Sequence, residues 1–382
     1  MKKIVLSALA ALTIGSVVAN AGDIKLYQDA NGQVFTTAGE GRTEIKQSAP
    51  TLSSHASKLK FSGLTYIGAT AKDYKDAGTA TTAQMEIRRA YFQLKAYLLE
   101  DPKSYFRVTY DLHNDGGSMV ARAKYAYLFL NEVLPNTGVE IGLVHRPWHD
   151  YEEHNSWYFR NISKVLIEDK NYGADLSNSA DFGVMTKTKT QYFDADIGIF
   201  NGEGYHGEQN AANGLSLEWR TTAHILGVNG KDKQNKKTYW DASFYGQYNT
   251  KHKTVGGVDE DLIFMGLHTV YNEPSFLLSA QYVSSQDTRS GSVVSGQAGS
   301  GYSFNGEYRI GIDKEYRLLA RYDSWTDKEE NSANEKANTG LIVGVAWDQN
   351  RNVQWVANVT VTDNKNDVKD NTAYMLTAQV EF

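Results

Sequence analysis

The sequence contains no cysteine, only five prolines and no excess of positive charge. Without cysteine, neither disulfides nor thiol chemistry are available, so stability depends on packing and hydrogen bonds. A formal net charge of −6 argues against nucleic acid as a partner, because surfaces that bind phosphates need an excess of lysine and arginine. The mean hydropathy of −0.49 excludes a bundle of membrane-spanning helices, each of which needs about 20 apolar residues.

Residues 1–21 have the three regions of a secretory signal peptide. A positive n-region precedes a mainly apolar stretch, and Ala19-Asn20-Ala21 matches an A-x-A cleavage site. We expect export and a mature chain that starts at Gly22. An uncleaved membrane anchor is the alternative, but the apolar run is short and Asp23 follows at once. Cleavage would remove two lysines and no acid, which takes the net charge from −6 to −8.

Most of the remaining chain alternates between apolar and polar residues, a period of two that is typical of β-strands with one apolar and one wet face. About sixteen segments approach the 9 to 11 residues that a tilted membrane strand needs. This pattern predicts an all-β transmembrane antiparallel β-barrel. An eighteen-stranded barrel is the alternative, because residues 227–237 are long for a short turn. The expected strands are 58–70, 84–99, 104–113, 121–131, 138–146, 180–188, 191–201, 214–226, 238–250, 260–272, 275–286, 302–312, 316–326, 338–349, 353–364 and 373–382.

The last ten residues repeat the alternation, and they place Tyr374, Leu376 and Phe382 on one face. They resemble the closing strand of a bacterial outer-membrane barrel, in which a terminal Phe is typical. No proline interrupts an expected strand, as the hydrogen-bond ladder requires. A secreted β-sandwich or propeller also alternates and is the competing fold.

The alternation also assigns side chains to faces. On the expected fourth strand, Tyr125, Tyr127 and Phe129 are predicted to face lipid, and Arg122 and Lys124 to face the lumen. Residues 147–179 form the longest connection and are too long for a simple surface link. We expect this segment to fold inward as a constriction loop; an external flap over the outer mouth is the alternative. The domain prediction is therefore a signal peptide at 1–21, a short periplasmic segment with a small hairpin at 22–57, and the barrel at 58–382.

Two of the expected strands combine paired arginines with an aromatic segment that ends in Asp. They are Ile87-Arg88-Arg89-Ala90-Tyr91-Phe92-Gln93-Leu94-Lys95-Ala96 and Tyr105-Phe106-Arg107-Val108-Thr109-Tyr110-Asp111. This pattern resembles the phosphate-selective porin O/P family of outer-membrane channels. The resemblance implies a sixteen-stranded, trimeric diffusion channel that often favours anions through rings of Arg and Lys. Residues 147–180 depart from the basic constriction of that family, because their acids outnumber their bases. This departure favours a general porin with opposing charges across the pore.

Charged residues concentrate next to the expected constriction. We expect the pore wall to contain Arg88, Arg89, Lys95, Arg107, Arg122, Lys124 and Arg146, and the inward loop to supply an acidic counterface of Asp150, Glu152 and Glu153. His145, His149 and His154 lie among these carboxylates, but helical ligand spacing cannot be assumed beside Pro147. We interpret them as polar lining and predict no metal site.

The sequence thus predicts an outer-membrane porin, in which small hydrophilic solutes and ions diffuse passively through a water-filled pore with charge-based selectivity. An anion- or phosphate-selective channel is the alternative, and an outer-membrane enzyme or a secreted adhesive β-protein is less favoured. No catalytic residue or cofactor is predicted. The expected partners are outer-membrane lipid, two further copies in a homotrimer, and small hydrophilic solutes or inorganic anions.

Overall fold

The computed structural model describes residues 27–28, 34–35, 38–44, 58–76, 78–97, 101–115, 117–207, 214–228, 237–255, 258–287, 298–327, 337–364 and 370–382. The predicted signal peptide lies outside these residues. The chain divides into two compact units, 1–57 and 58–382. In the first unit, β1 (Tyr27–Gln28) pairs antiparallel with both β2 (Val34–Phe35) and β3 (Thr43–Glu44).

The second unit is a closed barrel of sixteen antiparallel strands. Each strand pairs with its neighbours in sequence, and the last strand pairs with the first. The strands are β4 (Leu59–Tyr74), β5 (Thr82–Ala96), β6 (Tyr105–Asp115), β7 (Ser118–Leu134), β8 (Thr137–His145), β9 (Ala180–Lys189), β10 (Phe193–Phe200), β11 (Ser216–His224), β12 (Tyr239–Val255), β13 (Val258–Asn272), β14 (Phe276–Asp287), β15 (Gly299–Ile310), β16 (Tyr316–Asp327), β17 (Asn338–Asp348), β18 (Val353–Asp363) and β19 (Asn371–Glu381).

This architecture confirms the predicted fold class and the count of sixteen rather than eighteen. All sixteen expected segments overlap a strand of the barrel. Closure pairs the backbone groups of β4 and β19, which would otherwise be open sheet edges. In the described part of the connection between β11 and β12, no extra strand forms.

The outer face of the wall is apolar, as a lipid-facing surface requires. On β17, Leu341, Val343 and Val345 are 44%, 53% and 51% exposed, whereas the intervening Ile342 is buried. The prediction of a barrel wall with an apolar outer face is confirmed. Among the described residues, no helix has the length and hydropathy needed to cross a membrane.

The connection between β8 and β9 begins with a helix, α1 (Pro147–Asn155), which the sequence analysis did not expect. Pro147 occupies the first turn, where proline has no hydrogen bond to lose and its fixed φ suits a helix. Asp150 in the first turn also interacts favourably with the helix dipole. The proline beside which helical geometry was not assumed is therefore part of the helix start.

The rest of this connection packs against the inner face of the barrel wall. Val165, Leu166 and Ile167 are fully buried, and each such side chain contributes about 1.5–3 kcal/mol when it leaves water. They belong to one apolar cluster together with residues of seven strands: Tyr245, Leu262, Phe264, Val283, Leu319, Trp325, Ile342, Ala346, Val356 and Met375. These apolar positions alternate with the exposed apolar positions of the same strands, so they face the barrel interior.

Polar contacts join the same segment to strands far apart in the sheet. The Tyr151 hydroxyl donates to Asp241 on β12 at 2.7 Å, and the Asn161 amide donates to Thr377 on β19 at 2.9 Å. The Tyr172 ring packs on Gly340 of β17, where a Cβ would lie 2.4 Å from Cδ2 of the ring. Residues 147–179 therefore contact the wall on the side formed by β12 to β19.

Candidate pore wall and counterface

Two β-bulges decide which side chains line the interior on β5 and β7. Tyr66 pairs with Arg89 and Ile67 with Ile87, so Arg88 is the extra residue on β5. A bulge adds one residue to a strand and shifts the alternation by one position. Arg88 and Arg89 are consequently both half-buried, although strict alternation would place them on opposite faces.

The second bulge corrects a sequence prediction. Thr109 pairs with Tyr125 and Tyr110 with Ala123, so Lys124 is the extra residue on β7. Lys124, Tyr125 and Tyr127 are all buried, and the two tyrosines belong to an inner cluster. The assignment of Tyr125 and Tyr127 to the lipid face was wrong, because the bulge reverses the alternation at this point.

A cavity of about 1170 Å³ lies between this wall and the loop. It extends to the end of the barrel where the connections are short, such as those between β15 and β16 and between β17 and β18. The lining on β5 to β9 is Tyr91, Gln93, Tyr105, Arg107, Thr109, Lys124, Tyr125, Tyr127, Glu140, His145 and Lys187; the loop supplies Asp150, Glu153, His154, Tyr158 and Arg160.

Several of the expected wall cations are neutralised by carboxylates of the barrel. Arg88 pairs with Glu86 at 3.1 Å, and Arg89 pairs with the buried Asp111 at 2.7 Å. In register, Arg122 lies opposite Asp111 and is half-buried.

Arg146 is also neutralised, and it fixes the start of the loop. It is buried and makes ion pairs with Asp181 at 2.8 Å and with Glu218 at 2.7 Å. It also donates to Gln247 at 3.0 Å and to the Gly202 carbonyl at 3.3 Å. Arg146 thus ties the start of the loop to β9, β11 and β12, and it does not line the cavity.

Lys95, Arg107 and Lys124 have a different environment. Each lies over a tyrosine ring: Lys95 Nζ is 4.4 Å from the Tyr105 centroid, and Lys124 Nζ is 4.7 Å from that of Tyr91. The Arg107 guanidinium lies 4.6 Å from the Tyr125 centroid. Among the described residues, none of these three cations forms an ion pair with a carboxylate. They contact tyrosine rings, whereas Arg88, Arg89 and Arg146 are each paired directly with a carboxylate.

The loop carboxylates separate into two groups. Asp150 lines the cavity and lies 3.1 Å from Lys187 Nζ. Burial opposes its ionisation, but Lys187 and two histidines outweigh burial and hold the pKa of Asp150 well below its usual range. Glu153 also lines the cavity and pairs with Arg160.

Glu152 points away from the cavity into the packed side of the loop. It is buried and accepts a hydrogen bond of 2.5 Å from the Gln281 amide of β14. Burial is the largest effect on this carboxyl and raises its pKa to about 7, although Arg321 opposes the shift. Glu152 is therefore placed to hold the loop against the wall, and Asp150 and Glu153 are placed to face solutes.

Histidine and carboxylate side chains also meet near the loop start. His145 lies 3.4 Å from Glu140 and 3.7 Å from Asp150, and its ring packs on Tyr125 at 4.1 Å between centroids. Within the described ranges, no group of three or more His, Cys, Asp or Glu side chains has the arrangement of a metal site. The contacts of His145 are those of a residue that orders the wall around Arg107.

Sequence reasoning left two cavity residues out of its selected set. Lys187 of β9 bridges Glu140 and Asp150, and Arg160 of the loop bridges Glu153 and Glu168. Lys187 lies between the exposed Thr186 and the half-buried Thr188 on β9. Nothing in this local sequence indicated that a loop carboxylate would reach Lys187. The pairing depends on the fold of the loop.

Comparisons with known proteins agree with the architecture. No protein-family model and no curated protein matches the sequence. Solved structures do: the anion-selective porin from Comamonas acidovorans matches with a TM-score of 0.62 at 12% identity, over 85% of this chain and 99% of that one. OmpF of Salmonella typhi in complex with daunomycin matches with a TM-score of 0.60 at 12% identity, over 85% of this chain and 97% of that one. In-vitro folded OmpT of Vibrio cholerae, in its trimer form, matches with a TM-score of 0.56 at 13% identity, over 85% of this chain and 99% of that one. At this identity the likeness concerns the fold, which is that of bacterial outer-membrane porins.

Proposed function

We propose that this protein is an outer-membrane porin through which small hydrophilic solutes and ions diffuse passively, and that its pore favours anions. The observation that carries the proposal is the cavity between the loop and β5 to β7, with Arg107 and Lys124 on its wall and no carboxylate paired with either among the described residues. A sixteen-stranded barrel is wide enough for an aqueous channel, whereas an eight-stranded one is filled by side chains.

The loop is proposed to set the width of this channel. Residues 147–179 cover the apolar inner face of β12 to β18, and the cavity lies on the other side of them. An apolar inner face would be unfavourable in a water-filled lumen, so the packing supports a constriction loop over an external flap.

Selectivity is proposed to arise from opposite charges on the two sides of the cavity. Asp150 and Glu153 face it from the loop, but each has a basic partner within the loop or on β9. Asp313, Glu315 and Glu381 line the end of the cavity at the short connections, so the proposed preference rests on the stretch beside Arg107 and Lys124, whose charges attract anions at low ionic strength.

Assembly and family membership complete the proposal. We propose a homotrimer, as described for OmpT of Vibrio cholerae, with the short connections toward the periplasm. Membership of the phosphate-selective porin O/P family is the narrower form of the proposal. We also propose that the protein has no enzymatic activity.

The test is the reversal potential across a planar bilayer that separates two KCl concentrations, with the variant R107Q/K124Q. One unit charge about 8 Å from an ion changes the energy of that ion by about 0.5 kcal/mol in water. The loss of two charges shifts chloride and potassium by about 1 kcal/mol each in opposite directions, so the chloride-to-potassium permeability ratio should fall about thirtyfold at low salt. The matched control is K103Q, which removes an exposed lysine of the turn before β6. An unchanged ratio in the double variant would remove the wall cations from the permeation path.

A further inference from the structure

The inner surface of β5, β6 and β7 carries tyrosines between its cations. Lys124 Nζ lies 4.7 Å from the centroid of the Tyr91 ring and 5.3 Å from that of the Tyr125 ring. The Arg107 guanidinium lies 4.6 Å from the Tyr125 centroid and 5.8 Å from the Tyr127 centroid. Lys95 lies over Tyr105, whose ring is 6.2 Å from that of Tyr127. We call this set the cation–tyrosine wall: Tyr91, Lys95, Tyr105, Arg107, Lys124, Tyr125 and Tyr127.

Two polar groups of the wall lack the partners that buried groups normally have. Lys124 is 4% exposed, and no described residue supplies a carboxylate in contact with it. The Tyr91 hydroxyl is buried and has no hydrogen-bond partner among the described residues. Buried ammonium and hydroxyl groups without partners are costly, and such groups at a cavity are candidates for contacts with a ligand.

The tyrosines also give the cavity apolar surface that a general ion pathway does not need. The rings of Tyr105, Tyr125 and Tyr127 lie side by side on the lining. The imidazole of His145 contacts the rings of Tyr125 and Tyr127. Small-molecule sites combine aromatic surface with a few placed polar groups, and the cavity volume of about 1170 Å³ exceeds that of one small aromatic molecule.

We infer that the cation–tyrosine wall is a binding site for aromatic carboxylates, that is, planar organic anions with a ring attached to the carboxylate. The carboxylate would pair with Lys124 or Arg107, and the ring would pack against the tyrosine edges beside them. The inference rests on the proposed channel function, because it names a solute class for the same cavity.

Simpler ligands use only part of this surface. An inorganic anion or acetate pairs with the cations but leaves the partly exposed rings of Tyr91 and Tyr105 in contact with water. A neutral aromatic alcohol packs on the rings but leaves the cations without a counter-charge. Only a molecule with both features satisfies both parts of the wall, so its affinity should exceed that of either.

Isothermal titration calorimetry on the full chain in detergent tests the inference with three probes: sodium 4-hydroxybenzoate, sodium acetate and benzyl alcohol. We expect 4-hydroxybenzoate to bind at least about tenfold more tightly than the other two, because it alone pairs its carboxylate with a wall cation and packs its ring on the tyrosines. K124M should weaken 4-hydroxybenzoate about tenfold, and R107Q serves the same purpose if K124M does not fold. Y125L should weaken 4-hydroxybenzoate and leave acetate unchanged.

The matched control is Y282L, which removes an outward-facing tyrosine that is 52% exposed on β14 and should change no affinity. Equal affinities for acetate and 4-hydroxybenzoate would mean that the wall binds through charge alone. Equal affinities for benzyl alcohol and 4-hydroxybenzoate would mean that it binds aromatic rings without regard to charge. Either result overturns the inference. A protein that conducts KCl without preferring 4-hydroxybenzoate overturns this inference alone. A protein that binds 4-hydroxybenzoate but does not conduct overturns the channel function instead.

Discussion

Replacing Trp148 by alanine should release the loop of residues 147–179 from the inner wall while leaving the barrel intact. The Trp148 ring stacks on Tyr245 of β12 with centroids 3.7 Å apart and planes 2° apart, and it also contacts Tyr151 and His268. Trp148 is 3% exposed, so the substitution removes a fully packed aromatic side chain. Such a loss costs about 3–5 kcal/mol in a packed interior.

The cost falls on the docking of the loop, because Trp148 belongs to α1 and takes no part in the barrel ladder. A weakening of about 3–5 kcal/mol raises the undocked fraction about 100- to 4000-fold. Single-channel recordings in planar bilayers should therefore show larger and noisier conductance for W148A than for the unchanged protein. The melting temperature of the barrel should change little.

W355A is the matched control, since Trp355 lies on the outer wall and is 38% exposed. It removes the same side chain from a lipid-facing position and should leave the conductance distribution unchanged. If folded W148A conducts like W355A, the loop does not limit the pore, and the proposed constriction would be refuted.

Two further predictions concern the same docking surface. G340L should raise the conductance as W148A does, because a Cβ at Gly340 would lie 2.4 Å from the Tyr172 ring. V343L, at a lipid-facing position of the same strand, is its comparison, and equal conductance of both variants would contradict the role of Gly340. The second prediction concerns Glu152, whose pKa is raised from 4.5 to about 7 when the loop is docked. Docking of the loop should therefore be most stable below about pH 4.5, and its free energy should weaken by about 3 kcal/mol as the pH rises to 7 and stay constant above that. E152Q should remove this pH dependence. Conductance recorded from pH 4.5 to 8 should rise with pH in the unchanged protein and stay constant in E152Q, because the amide of the variant can keep the hydrogen bond to Gln281. If conductance still rises with pH in E152Q, the pH dependence belongs to another group.

The strands could be predicted because membrane strands depend on a local pattern. Alternation along Leu341, Val343 and Val345 is a property of the sequence, and each residue lies on the lipid face as expected. Closure follows from the same pattern, because an unpaired strand edge is not tolerated in hydrocarbon. The N-terminal 22–57 segment and the roles of the selected charges remain predictions.

The faces of β5 and β7 could not be predicted, because a bulge is defined by two strands together. Neither Arg88 nor Lys124 differs locally from a regular strand residue; each becomes the extra residue only when the register with the neighbouring strand is fixed. The shift places Arg89 against Asp111 and brings Tyr125 beside Arg107. The chemistry of the wall therefore depends on pairing that a single strand does not encode.

The alternation in the sequence also contains apolar residues at positions that face the barrel interior, and these indicate a covered inner wall. Val283, Ile342 and Val356 occupy positions opposite the lipid-facing ones, where a wet lumen would favour polar side chains. Their presence indicates that an apolar element covers this part of the inner wall, and Val165 to Ile167 provide it. The inward-facing residues of the strands therefore predict that an apolar segment packs on them, which the sequence of the loop alone does not predict.

The separation of the barrel interior into a packed side and a cavity side is compatible with the proposed anion preference of an acidic chain. The net charge of −6 counts every carboxylate, but those on the packed side are used within the protein, as in the Arg321–Asp323 pair of β16 and the Glu307–Arg309 pair of β15. The cavity lies on the opposite side, where Arg107 and Lys124 have no carboxylate partner among the described residues. A solute in the pore responds to the local field of those cations and only weakly to charges more than about 8 Å away at physiological salt. The anion preference should therefore weaken as the salt concentration rises, although the net charge of the chain stays the same.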